Sequence, residues 1–180
     1  VKMACFEKLK TAQALDRWVA IFKQAFPLAA VDIHEGRVDA EELKRMSVKL
    51  PAIFVAALSA PSSSDVGDDT QTYDTVFTAY ILTGGQNRDM AGMNMSEAVR
   101  IVVKTSYSLI DGVGKATRIT WQNVLSTRLI GQGTSLNAVV WRQPVRLGTQ
   151  STADEMSTSG IPWPDGVVPE EVYIDGEDEY

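Results

Sequence analysis

Apolar residues near the start of the chain recur at three- and four-residue spacing: Phe6, Leu9, Leu15, Trp18, Val19, Phe22 and Phe26. Lys8, Lys10, Asp16, Arg17 and Lys23 fall mostly on the other face, so the pattern predicts an amphipathic helix. Pro27 stops it, because proline lacks the amide hydrogen a further turn needs. Residues 28–33 are short and β-branched enough for a first strand. Asp39 is placed to cap a helical turn over 40–46, where Glu41 and Glu42 favour the positive helix end.

Residues 50–58 (LPAIFVAAL) form a nearly continuous apolar run, which predicts a strand covered on both faces. The stretch 61–69 (PSSSDVGDD) reads as an exposed hairpin loop. A long strand is expected over 71–82, with Tyr73, Thr75, Phe77, Ala79 and Ile81 on one face and Asp74, Thr78 and Tyr80 on the other. Gly84, Gly85, Gln86 and Asn87 end it. A second helix begins at Met90 or Ser96 and runs to Ile110, with Met95, Ala98, Val99, Val102, Val103, Leu109 and Ile110 as its core stripe and Asp111-Gly112 closing it.

Two more strands follow. In 116–125, Ile119 and Trp121 face in while Arg118, Thr120 and Gln122 face out. The last strand covers 135–147, with Gln132-Gly133 as the turn between the two, and Pro144 marks it as an edge strand or as the point where pairing stops. This order predicts an α+β domain over residues 1–149: a mainly antiparallel, four- to five-stranded sheet flanked by two long helices packed on one side. An extended acidic C-terminal arm occupies 150–180.

Charge sharpens that division. Residues 151–180 hold nine acids and no Lys or Arg, whereas 1–150 hold all 17 basic residues against 14 acids, a balance of +3. The arm sets Ile161, Trp163, Val172, Tyr173 and Ile174 among its acids. Such a segment has too little apolar surface to fold alone but enough to order on a partner. The body has no Lys/Arg cluster, which argues against tight electrostatic binding of nucleic acid. No apolar run approaches the ~20 residues of a membrane span, and no signal-peptide core opens the sequence. The single Cys5 reads as a reduced, packed thiol in a soluble protein of a reducing compartment.

Chemical motifs are sparse. Gly112-Val113-Gly114-Lys115 hints at a phosphate loop, but Leu109 stands where the first glycine is needed and Ala116 where Ser or Thr is needed. It also follows a helix and precedes a strand, the reverse of the required order. His34, beside Asp32 and Glu35, lacks an identifiable nucleophile and reads as a surface residue of a strand-end turn. Asp65, Asp68 and Asp69 lack the alternating spacing and closing Glu of a calcium loop and read as a solvated loop. Met90, Met93 and Met95 read as core packing, with a soft contact surface as the alternative. No catalytic, cofactor or metal residue is assigned.

Several stretches together resemble a known family. They are Leu50-Pro51-Ala52-Ile53-Phe54-Val55 before a polar loop, and the run from Tyr73-Asp74-Thr75-Val76-Phe77 through Thr83 that leads to Asn87-Arg88-Asp89. After the second helix come Ala116-Thr117 and Ala138-Val139-Val140-Trp141-Arg142-Gln143. Over about residues 5–147 the pattern is similar to the tail-terminator (tail-completion) proteins of Mu-like phages and prophages, while the acidic arm matches nothing in that family. The resemblance implies a non-enzymatic virion protein of the tail and neck, assembled in the host cytoplasm, with an α+β body that forms a homo-oligomeric ring, usually of six. The ring caps the tail tube protein, stops its polymerisation and offers a docking surface to the head–tail connector, while DNA passes through its lumen. Two other readings compete: a head-completion or stopper protein on the portal side, and a small-molecule-binding or enzymatic α+β domain.

Contact residues follow as expectations. Arg88 and Asp89, after the glycine turn, are opposite charges suited to a subunit contact, and Arg142 and Arg146 can pair with a neighbour's carboxylates. The strand of Pro144 and the loop 61–69 are expected places for subunit contact. In the arm, Trp163, Val172, Tyr173 and Ile174 are candidates for docking on a neighbouring subunit or the connector, with 171–174 adding an edge strand. The arm's acids are suited to keeping DNA phosphates off the protein.

Overall fold

The computed structural model describes residues 10–38, 48–65, 70–106, 110–124 and 133–148. Cys5, the expected helical turn at 40–46, Asp68, Asp69, Leu109, Gln132 and the acidic arm lie outside the described residues. In chain order the elements are α1 (Lys10–Ala25), β1 (Ala30–Ile33), β2 (Ala52–Ser59), β3 (Ser62–Asp65), β4 (Thr70–Gly84), α2 (Arg88–Thr105), β5 (Thr117–Asn123) and β6 (Thr134–Gly148). The fold is α+β. Five strands lie side by side in the order β1-β2-β4-β6-β5, and β3 continues the β2 side of β4. Every pairing is antiparallel except β1 with β2, so the sheet is mixed.

The spine is the β4–β6 ladder, 15 residues on each strand, running from Thr70↔Gly148 to Gly84↔Thr134. Period-two alternation sends one set of side chains toward the helices and the other toward the opposite face. On the helix face lie Ile53 and Val55 of β2, Phe77, Ala79 and Ile81 of β4, and Val139, Trp141 and Val145 of β6. Ala14, Trp18, Val19 and Phe22 of α1 and Val99 and Val103 of α2 close over them. The opposite face carries a smaller cluster of Ala52, Phe54, Ala56, Tyr80, Leu82, Leu136 and Ala138. β2 is therefore buried on both sides, which is why its sequence is a continuous apolar run and not an alternation.

Aromatic rings join the helix layer to the sheet. Phe77 and Trp141 face each other across the ladder and stack at 6.0 Å, and Trp18 meets Trp141 edge-on at 5.0 Å. Both indole N–H groups donate to one acceptor: Trp18 Nε1 to Gln143 Oε1 at 2.8 Å and Trp141 Nε1 to the same oxygen at 3.1 Å. Gln143 Nε2 donates to Gly114 O at 2.9 Å. Gln143 is fully buried, and this arrangement satisfies its amide while tying α1, β6 and the 112–114 turn together.

Several boundaries differ from the sequence expectation. α2 starts at Arg88, ahead of Met90, because Gly85 at φ +91° turns the chain sharply after β4. It ends at Thr105 and not at Ile110. The hydroxyls of Thr105 and Ser106 donate to the carbonyls of Ile101 and Val102, and Ser106 is extended. Its buried stripe is Gly92, Ser96, Val99 and Val103, with Met95 and Val102 partly buried. The small residues are needed because the helix approaches the sheet closely there: a Cβ on Gly92 would overlap the amide of Asn137.

The stretch expected as a loop after Pro61 instead begins as β3, pairing Ser62 with Tyr73 and Asp65 with Gln71. β6 is not an edge strand, since it lies between β4 and β5. Pro144 is accommodated because its nitrogen faces away from β4: Asp74 N–H donates to Pro61 O, and Pro144 O accepts from Gly114 N. β5 pairing has stopped at Arg142, so the missing amide hydrogen falls beyond the end of that ladder. The outer strands of the five-strand path are β1 and β5, and β3 is a further, short edge strand beside β4.

Gln143→Leu removes the shared acceptor and leaves two buried indole donors unpaired. Its unfolding free energy should fall by about 2–4 kcal/mol, read as a shifted urea midpoint with unchanged slope. An unshifted midpoint would show that the network does not hold the helix layer.

Candidate interaction surface

Among the described residues, four of the seven exposed large apolar side chains gather on one side: Met90, Met93 and Ile101 of α2 and Trp121 of β5. Met90 and Met93 are exposed and not core, which corrects the packing expectation for both. Trp121 also departs from its inward expectation. It shares a face with Ile119, but β5 is the outermost strand and α2 lies mainly against β4 and β6, so the indole stays 38% exposed. Ile119, nearer the helix, packs on the core.

Between α2 and β5 runs a groove. One stretch, of about 490 Å³, is lined by Glu97, Arg100, Ile101 and Lys104 of the helix and by residues 116–119 of the strand. An adjoining stretch of about 270 Å³ continues past Met93, Asn94 and Ser96 to Trp121. Its lining mixes apolar side chains, Ile101, Ile119 and Trp121 among them, with exposed charges, of which Arg100, Lys104 and Arg118 outnumber Glu97. None of these three cations takes part in an ion pair among the described residues. The sequence carried a signal for this surface: Ile101 sits on the polar face of α2, between Arg100 and Lys104, where an amphipathic core helix has no use for it.

The charged residues singled out from sequence do not form one patch. Arg88 and Asp89 begin α2 and lie 3.9 Å apart, pairing with each other at the limit of contact. Arg142, much farther along β6, donates from Nη1 to Asp74 Oδ2 at 3.1 Å. The two are diagonal neighbours across the ladder, since Asp74 faces Pro144 and Arg142 faces Val76. Arg146 is exposed on the same strand, and its backbone N–H donates to Gly112 O. Trp163, Val172, Tyr173 and Ile174 lie outside the described residues.

His34 is buried, not a surface residue. Its Nδ1–H donates to Gly36 O at 3.1 Å, and its ring meets Phe54 and Tyr80 edge-on at 6.1 and 6.2 Å. It packs as part of the second cluster's border. Burial pushes the Tyr80 phenol above its ordinary range, against the smaller opposing pull of the Val38 backbone and Arg37. Among the described residues no three His, Cys, Asp or Glu side chains gather as a metal site, and no helix is long and apolar enough to cross a membrane. The Gly112–Lys115 segment is a turn: Gly112, at φ +77°, accepts from Arg146 N.

No protein-family model matches the chain, and no curated protein matches it in sequence.

The Asp74–Arg142 pair is only partly exposed, so a double-mutant cycle with Asp74→Asn and Arg142→Gln should return a coupling of about 0.5–1 kcal/mol. Zero coupling would mean that the guanidinium spends its charge elsewhere, as a contact to a neighbouring molecule requires.

Proposed function

We propose that this chain is a structural tail terminator: a protein that forms a ring, of six by its resemblance, caps a phage tail tube and presents a docking surface to the head connector. The observation that carries the reading is the placement of the words that resemble the Mu-like terminators. The stretches around 50–55, 73–83 and 138–143 are far apart in sequence, yet they fall on β2, β4 and β6, three adjacent strands at the centre of the sheet. The two shorter words, Asn87-Arg88-Asp89 and Ala116-Thr117, lie at the start of α2 and at the start of β5, so the resembling stretches gather in and around the centre of one sheet, as a shared structural core would produce.

The architecture suits the role in a second respect. A closed ring needs a head-to-tail interface, in which one patch meets a different patch on the next copy. The two edges of this sheet are unlike: β1 is a short strand in the parallel pairing, and β5 is antiparallel and flanked by a basic groove. The exposed apolar residues also divide, with Leu28, Ile33 and Leu50 on the β1–β2 side and the methionines and Trp121 on the other. Since β6 is interior, the subunit contacts belong to these outer edges and not to the strand of Pro144. In this reading the protein works by shape and self-association, without a catalytic centre, and DNA passes through the ring without being read.

Native mass spectrometry of the purified full chain tests the ring. A dominant particle at six times the 19.7 kDa chain mass, annular in negative stain, is expected. A monomer that persists at concentrations of about 100 µM, well above the Kd of an ordinary specific interface, would contradict the ring.

A further inference from the structure

The basic, apolar groove between α2 and β5 and the acidic, apolar segment after β6 have complementary chemistry. We propose that residues 170–175 of the chain seat in the α2–β5 groove of the same copy. Val172 and Ile174, which share one face of an extended segment, then cover Ile101 and Trp121, and the flanking Glu170, Glu171 and Asp175 meet Arg100, Lys104 and Arg118. This goes beyond the ring reading and does not depend on it.

Three observations carry the assignment. The first is charge: the groove lining holds three cations against Glu97, and the segment from 151 onward holds nine acids and no base. Exposed cations facing carboxylates raise the encounter rate and set the register, while the apolar residues between them supply the burial. The second is length. From Met93 to Lys104 the helix side of the groove measures about 17 Å at the α-helical rise, and an extended chain from 170 to 175 measures about 17 Å. The third is reach. The groove's near end, at Thr117, pairs with Arg142, six residues back along β6 from Gly148 and so about 20 Å away. The 21 residues between Gly148 and Glu170 let the chain span up to about 70 Å. A tether of that length gives an effective concentration on the order of millimolar, so the segment of the same copy outcompetes that of another molecule.

Zero-length carbodiimide coupling on the full chain, which joins carboxylates to amines in contact, tests this. Unlabelled and ¹⁵N-labelled chains are unfolded and refolded together before coupling. The expected product joins Lys104 to Glu170, Glu171 or Asp175, with both peptides carrying the same isotope. It should drop about fivefold or more in full-length Val172→Ser/Tyr173→Ser/Ile174→Ser, which keeps every charge, and also when NaCl rises from about 0.05 to about 0.5 M. Hydrogen exchange of the β4–β6 ladder serves as the control that this variant is folded. Absence of the Lys104 product, or its survival in the triple variant, would overturn the site. Mixed-isotope pairs in the statistical proportion would assign the groove to the segment of a second copy and overturn the same-chain assignment.

Discussion

Two indole N–H groups ending on one buried amide oxygen is the constraint on which the arrangement of this molecule turns. Gln143 brings a polar side chain into the middle of an aromatic layer, where an unpaired amide would cost about 1–3 kcal/mol. It is tolerated because Trp18 comes from α1, Trp141 from the same strand, and Gly114 from the turn that leads into β5. These requirements fix the position of α1 over the sheet, the rotation of Trp141 and the path of the 112–114 turn together. A purely apolar core would leave α1 free to slide along its stripe; the directional Trp18–Gln143 bond, on an amide held in place by its other two bonds, does not.

The ladder between β4 and β6 then decides what each face can do. With the helix face closed by α1 and α2, the outer strand β5 is left only partly covered, because α2 crosses above β4 and β6. The groove beside β5 is thus a consequence of helix placement, and placement follows from the close approach at Gly92 and from the early end of α2 at Thr105. The apolar side chains stranded there, Met93, Ile101 and Trp121, are the ones that simple amphipathic patterning leaves unaccounted for.

Much of the fold was legible in the chain. The apolar run of β2, the alternation of β4 and the spacing of Trp18, Val19 and Phe22 each have one structural solution, and the observed elements fall there. What escaped was set by non-local pairing. Pro144 reads as an edge residue or an end of pairing; β5 pairing does stop at Arg142, but sequence does not reveal that β4 keeps pairing to Gly148 on the other side. The serines after Pro61 look like a loop because their strand identity comes from the spare edge of β4 and not from propensity. His34 looks exposed because its burial depends on Phe54 and Tyr80, two distant strand residues. Of the candidate contact residues, the charges at Arg88, Asp89, Arg142 and Arg146 were visible in sequence but their dispersal was not, and the groove, which they do not line, needed the α2–β5 packing to exist at all.

The proposed function joins this scaffold to the resemblance with the Mu-like terminators: a sheet with two unlike edges that would meet head to tail around a ring, plus an acidic segment whose chemistry complements the α2–β5 groove. Its central claim is that the protein stops a growing tail tube. The most direct measurement is electron microscopy of lysates from a phage carrying an early stop codon in this gene. The account predicts overlong tubes of variable length, unattached to heads. Tails of normal length beside separate heads would contradict it and place the protein on the portal side, as a stopper.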